Sequence, residues 1–347
     1  MIHSLYLMLN LKQIQTFKHW QSSGKGIVVG TVFKTAGSTY SKQGKVILIN
    51  EDGDHIGLVS GGCLEEDIIS HGLQCLASGE CSVLCYDLRT EESELWGLGA
   101  GCRGLINLFL QPLHGFHLDL LETLIDSISR GVEGELITYA GIDHADVAAG
   151  TSTFITKERE YSFGLNETHI NNLKSYICDR KNVENLIISE IDRIPNVLIL
   201  GAGLDAVPIV EFTYQLGWKV TVADYRGSYF DRKDLELARI CLLENRDAIE
   251  KNLNLNDYNV VVIMSHNLEA DRTFVSQLKH HRFDYLGILG PLSRKQMILE
   301  KLAESESSSQ LKIIGPVGLD IGADSPESIA LALLAEIHQK LKKSTKK

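Results

Sequence analysis

The sequence predicts an α/β fold in which an N-terminal mixed α+β, strand-rich domain precedes a C-terminal parallel sheet. Three observations predict it. From about Ile194 onward, apolar runs (Val197-Leu-Ile-Leu200, Val260-Val-Val-Ile-Met264, Tyr285-Leu-Gly-Ile-Leu289) alternate with segments of helical periodicity. Continuous runs of this kind suit strands covered on both faces, and hence a parallel sheet with βαβ connections. The first run leads directly into Gly201-Ala-Gly203-Leu-Asp205-Ala206, a glycine turn that opens a helix and makes the sheet Rossmann-like. Upstream, short β-branched runs bounded by turn residues take over.

In chain order, the apolar start is expected to lead into a first helix. Ile27 to Phe33 and Val46 to Asn50 read as strands, Glu65 to Ala77 as a helix with Ile68, Ile69, Leu73 and Leu76 on one stripe, and Ser82 to Tyr86 and Gly104 to Leu110 as further strands. Residues 1–113 therefore form the N-terminal domain. Residues 114–192 are a partly structured connecting region, with a helix at Leu118 to Ser129 and strands at Glu135 to Ala140 and Ser152 to Thr156. Residues 193–347 form the Rossmann-like domain. It adds helices at Asp205 to Leu216, Leu268 to His280 and Ser293 to Leu302, with strands at Lys219 to Ala223 and Arg239 to Leu242. Its last helix carries Ser325 as N-cap and Pro326 in the first turn.

Composition narrows the function. With 44% hydrophobic and 23% charged residues over 347 positions, the chain is long and apolar enough to bury substantial cores. A net charge of −11 argues against nucleic acid, which is gripped by clustered Lys and Arg. No stretch approaches the ~18 apolar residues of a membrane helix. Seven cysteines spread through the chain fit reduced thiols and a cytoplasmic location better than a secreted disulfide framework.

The glycine turn is the first candidate site. Gly201 makes the tight bend, and Ala202 and Gly203 let backbone approach a phosphate at the positive end of the helix. Asp224 closes the second strand, where an acid bonds a ribose 2′-hydroxyl, and Arg226 leaves room for a 2′-phosphate instead. Asp205 reads either as a helix cap or as a charge that repels pyrophosphate. His266 after the fourth strand, and Gly290 with Ser293 and Arg294 after the fifth, should reach the same crevice. The loop Gly315 to Gly322 is either a third contributor or a plain turn.

Two cysteines stand in glycine loops. Cys63 lies in Ser60-Gly-Gly-Cys63-Leu-Glu65, and Cys102 in Gly97-Leu-Gly-Ala-Gly-Cys102-Arg-Gly104. Glycines bring backbone close to a ligand, and a helix start or a neighbouring arginine favours a thiolate, which is a soft ligand for sulfur or metal. Neither belongs to a C-x-x-C pair, so no structural metal site is assigned, although Cys102 is a candidate metal contact. The polar turn Gly37-Ser-Thr-Tyr40-Ser-Lys-Gln-Gly44 either meets an anion or is a solvated hairpin.

Taken in order, these loops, together with Val222-Ala-Asp-Tyr-Arg226, Met264-Ser-His266, Gly287-Ile-Leu-Gly290 and Gly315 to Ala323, resemble the XdhC/CoxI family, accessory proteins of xanthine and carbon monoxide dehydrogenases. The resemblance covers most of the chain outside 114–192, and the family's glycine turn carries an aspartate where Asp205 stands. It implies a chaperone for the molybdenum cofactor, a phosphorylated pterin with a dithiolene-held metal. Such a chaperone protects the cofactor while a terminal sulfur is installed and passes it to an apo-xanthine-dehydrogenase-type client, with a cysteine desulfurase as second partner and a homodimer as the default assembly. Cys63 and Cys102 match the family's cysteine loops, and Gly201, Gly203, Asp205 and Asp224 its crevice. Ala100 and Arg103 depart from the family's more compact second loop. Two other readings stand beside this one: an NAD(P)-dependent oxidoreductase, and an interaction protein that binds no cofactor. The chain lacks iron–sulfur cysteine spacing and is too short to house the redox centres of a xanthine dehydrogenase itself.

Overall fold

The computed structural model describes residues 5–7, 9–89, 104–141, 147–164, 186–231, 233–303 and 312–344. Backbone packing divides the chain into two compact units, Met1–Arg193 and Ile194–Lys347.

The first unit holds two five-stranded sheets. One is built from β2 (Ile27–Gly37), β3 (Val46–Asn50), β4 (His55–Ile56), β5 (Ser82–Asp87) and β6 (Gly104–Pro112). It is antiparallel throughout, in the order β4-β3-β2-β6-β5. Helix α2 (Glu65–Ser78) covers it, and Ile68 and Cys75 pack with Val28, Val32, Ile47, Ile49, Ile106 and Leu108. Helix α1 (Leu11–Ser22) opens with a capping box between Asn10 and Gln13, and the Gln13 amide donates to the Val46 carbonyl at 2.8 Å.

The second sheet contains β1 (Leu5–Leu7), β7 (Gly134–Tyr139), β8 (Ser152–Thr156), β9 (Glu160–Phe163) and β10 (Leu186–Ile191), in the order β1-β10-β7-β8-β9. Residues 5–7 are thus a strand pairing parallel with β10, and the expected first helix, α1, follows it. Four of the five strands come from 114–192, which also contributes α3 (Phe116–Arg130) with Leu120, Leu121, Leu124, Ile125 and Ile128 buried along one face. The β10–β7 ladder joins segments far apart in sequence, so no local signal announces it.

The second unit is a five-stranded parallel sheet. Its strands are β11 (Asn196–Leu200), β12 (Lys219–Asp224), β13 (Arg239–Leu242), β14 (Val260–Ile263) and β15 (Tyr285–Ile288), in the order β13-β12-β11-β14-β15. Side chains alternate between faces along each strand. Val197, Ile199, Val260 and Val262 pack on α4 (Ala206–Gln215) and on the last helix, which the short α5 (Ile249–Asn252), α6 (Leu268–Leu278) and α7 (Leu292–Ala303) precede in the chain and which we label α8 (Pro326–Ser344). Leu198, Leu200, Val261 and Ile263 meet Phe274, Val275 and Leu278 of α6 and Ile298 of α7. Both faces are therefore covered, which is why β14 and, after Asn196, β11 are apolar at every position. The chain winds outward from β11 in one direction, then returns to β14 and winds in the other. The switch point lies between β11 and β14, and crevices for ligands open there, at the carboxyl ends of the strands.

Candidate functional site

The glycine turn runs between the ends of β11 and β14. Gly201 has φ +128°, and an added Cβ would lie 2.4 Å from the Met264 carbonyl oxygen, so only glycine passes here. Its N–H donates to the Ala223 carbonyl at 2.9 Å. The next N–H, from Ala202, donates to Asp224 Oδ2 at 2.8 Å. Asp224 is 1% exposed, and Arg226 surrounds its remaining acceptor positions with its backbone N–H (2.9 Å), Nε (2.9 Å) and Nη2 (2.7 Å). Burial alone would raise this carboxyl, but the hydrogen bonds from the Arg226 side chain, Ala202 N–H and Arg226 N–H outweigh it and hold the pKa below the usual carboxylate range. The Arg226 guanidinium sits 4.2 Å from the ring centroid of Tyr229. Asp224 and Arg226 thus staple the turn from behind, where the spacing predicts a ribose or 2′-phosphate contact.

At the front of the turn, Asp205 does not cap α4 with its side chain. Its Oδ2 instead accepts a hydrogen bond from His266 Nε2 at 2.8 Å, a bridge across the switch point from the β11 turn to the β14 turn. Gly203 lies beneath this pair. An added Cβ would stand 2.4 Å from Asp205 Oδ1 and 3.5 Å from the imidazole. Ala206 and Val207 N–H fold back onto the carbonyls of Gly203 and Leu204, and Pro208 has no N–H. Among the described residues, the N–H groups of Leu204 and Asp205 have no partner, and Leu204 is 72% exposed. These two donors sit at the positive end of α4, as a phosphate requires.

His266 is the one non-glycine residue with positive φ (+57°) among those described. Left-handed backbone costs such a residue roughly 1–2 kcal/mol, so its neighbours must hold it there. Ser265 is fully buried, and its hydroxyl donates to the buried carboxylate of Asp271. Asn267 caps α6 by accepting from Ala270 N–H at 3.0 Å. Arg294 closes the network, its Nε donating to Asp271 at 2.8 Å. Gly290 (φ +127°) leaves room for it, because an added Cβ would approach Arg294 Cδ to 2.8 Å. The Gly315–Gly322 loop is tied down in its turn: Glu336 accepts from Gly318 N–H (2.8 Å) and from the Tyr285 hydroxyl (2.7 Å). Sequence reasoning missed Asp271, since a buried acid on an amphipathic helix carries no local signature.

In the first unit, Cys63 is exposed in the loop preceding α2. The donors of that loop converge on Glu65, which is 5% exposed. Its carboxylate accepts from the N–H groups of Val59 (2.9 Å), Ser60 (2.8 Å) and Gly62 (2.9 Å) and from the Ser60 hydroxyl. Burial pushes the Glu65 pKa up, and the Ser60 hydroxyl and three backbone donors overcome that to hold it at about 2. The ring of Tyr40 packs on Gly61, while Gly104 lies against Ser38 and Thr39, so the Gly37–Gly44 turn meets the loop before α2 and the first residue of β6. Cys102 lies outside the described residues. Cys75 is buried, and burial, then Cys75, pushes the Cys81 thiol up to about 12, which disfavours its thiolate. Among the described residues no three His, Cys, Asp or Glu side chains are grouped to hold a metal, and no helix is long and apolar enough to cross a membrane.

These features define a class: a Rossmann-type unit with a bridged crevice, joined to a unit of glycine loops that carries a free thiol. The chain belongs to the XdhC/CoxI family. The family model of the XdhC Rossmann domain matches residues 197–337, and that of the XdhC and CoxI family matches residues 20–87. Among characterised relatives, a probable xanthine dehydrogenase subunit of Bacillus subtilis is 27% identical over 91% of this chain and 93% of its own length. The molybdenum cofactor insertion chaperone PaoD of Escherichia coli is 22% identical over 91% of this chain and 83% of its own. A crystal structure of a xanthine dehydrogenase from Bacillus halodurans superposes with a TM-score of 0.81 at 26% identity, covering 95% of this chain and 96% of that one.

Proposed function

We propose that this protein is a molybdenum-cofactor chaperone: it binds the phosphorylated pterin, shelters it while a cysteine desulfurase supplies the terminal sulfur, and delivers it to a xanthine-dehydrogenase-type client. The observation that carries the reading is the bias of the crevice. Two backbone donors at the start of α4 are available to a phosphate, whereas Asp224 and Arg226, which a dinucleotide's ribose would need, are fully engaged with each other and with Ala202. That combination suits a ligand with a phosphate and no adenosine ribose, and draws support away from an NAD(P)-dependent oxidoreductase. The insertion role of PaoD, a relative along nearly the whole chain, agrees with it. Cys63, exposed on its loop, and Cys102 are our candidates for contact with the molybdenum or its sulfur.

The test mixes the full-length protein with molybdenum cofactor released from a molybdoenzyme and follows its retention through gel filtration. Wild type should retain cofactor, and Cys102→Ala and Cys63→Ala should retain less. If both variants hold as much as wild type, the thiolate role is wrong. If wild type retains none, so is the cargo.

A further inference from the structure

An aspartate at a phosphate-binding turn is an electrostatic conflict, and the structure contains its resolution. Because a carboxylate only accepts, the hydrogen bond to Asp205 requires the proton on His266 Nε2, leaving Nδ1 as the free nitrogen of a ring that is 61% exposed. No other partner contacts the ring among the described residues. Charged groups on the neighbouring elements are engaged with one another: Asp224 with Arg226 at the end of β12, Asp271 with Arg294 between α6 and α7, and Glu269 with Arg272 on α6, while the Lys295 side chain lies against Gly315. His266 is also held in a left-handed conformation from both sides, by the Ser265–Asp271 bond and the Asn267 cap, which is the mark of a side chain fixed for a purpose.

We propose that His266 and Asp205 form a proton-linked receiver for a phosphate or similar oxyanion at the switch point. When the anion binds to the Leu204 and Asp205 N–H groups, the imidazole takes up a proton from solvent and carries one on each nitrogen. Nε2–H stays on Asp205 and Nδ1–H donates to the anion, so the cation separates the two negative charges. Asp271 and Arg294 are positioning residues that act through Ser265. The inference rests on the reading that this crevice takes a phosphate-bearing ligand.

The experiment uses the full chain with inorganic sulfate, whose charge does not change across the range in which an imidazole titrates. Calorimetry in two buffers of different ionisation enthalpy counts protons taken up per anion bound. Wild type should take up protons as the anion binds, and its affinity should fall as pH rises, by up to about tenfold per pH unit. His266→Gly relieves the positive φ and so keeps the fold. It should bind sulfate about tenfold or more weakly at acidic pH and show no proton uptake. Wild-type binding without proton uptake, a pH slope that survives in His266→Gly, or no sulfate binding at all overturns the proposal. Proton-linked sulfate binding without retention of released molybdenum cofactor leaves the receiver standing and removes the cargo reading. Cofactor retention without proton-linked sulfate binding does the reverse.

Discussion

The loops Ser60–Glu65 and Gly201–Ala206 read alike, each a glycine-rich turn running into a helix, yet they stand in opposite states. In the first, three backbone N–H groups and a hydroxyl already hold an anion, the chain's own Glu65. In the second, the internal carboxylate, Asp224, holds the turn through one N–H, and two donors at the helix start have no partner among the described residues. A cluster of backbone donors is a site only where the chain does not supply the anion itself. Under the proposed function, the first loop is a platform for Cys63 and the second a receptor.

The comparison is broken most severely by removing the internal anions. Asp224→Ala leaves Arg226 half-buried without its partner and frees the turn, so it should destabilise the second unit by about 3–5 kcal/mol, read from denaturant unfolding. A loss under about 1 kcal/mol would mean that Asp224 does not hold the turn.

Glu65→Gln should cost about 2–3 kcal/mol in the first unit, because the amide cannot accept from all four donors. It also tests the sign of the pH dependence. Glu65 has its folded pKa at about 2, below the unfolded value of about 4.3, so its stabilisation is complete above the unfolded value and is lost as pH falls through the folded one. The acid limb of the first unit's stability, followed by hydrogen exchange, should flatten in the variant. An unchanged limb contradicts the plugged loop.

The smallest effect on stability, and the sharpest on the receptor, should come from Gly203→Ala. Its φ is not positive, and the added Cβ crowds the Asp205 carboxylate, which can swing away, while it reaches the imidazole at an ordinary 3.5 Å. Stability should change by about 1 kcal/mol or less while the Asp205–His266 bridge breaks, seen as a shift of the His266 ring resonances. Undisturbed resonances would mean that the bridge does not depend on the turn.

What the sequence made legible follows from the same physics. The inner strands of the second unit stand out because both faces are buried, unlike the exposed edge strand β13, and the glycine turn because Gly201 must pass the end of β14. The second sheet of the first unit stands out only in part. Glu135 to Ala140 and Ser152 to Thr156 read as strands, whereas Leu5–Leu7 and Leu186–Ile191 acquire meaning only through long-range pairing, with each other and, for the latter, with β7. The positions of Asp224 and Arg226 were visible but their orientation was not, since one spacing serves a ribose acceptor and an internal staple equally. Glu65 was visible as part of a motif, but nothing local marks an acid that folds back onto its own loop. The pairing of Asp205 with His266 depends on β11 and β14 being neighbours, which only the sheet order reveals.

The most direct test of the central claim is to purify the protein from its own host and determine what it carries, by metal analysis and mass spectrometry on the same sample. A chaperone of the proposed kind carries molybdenum and a phosphorylated pterin in comparable molar amounts. Bound NAD(P) in their place would contradict the account.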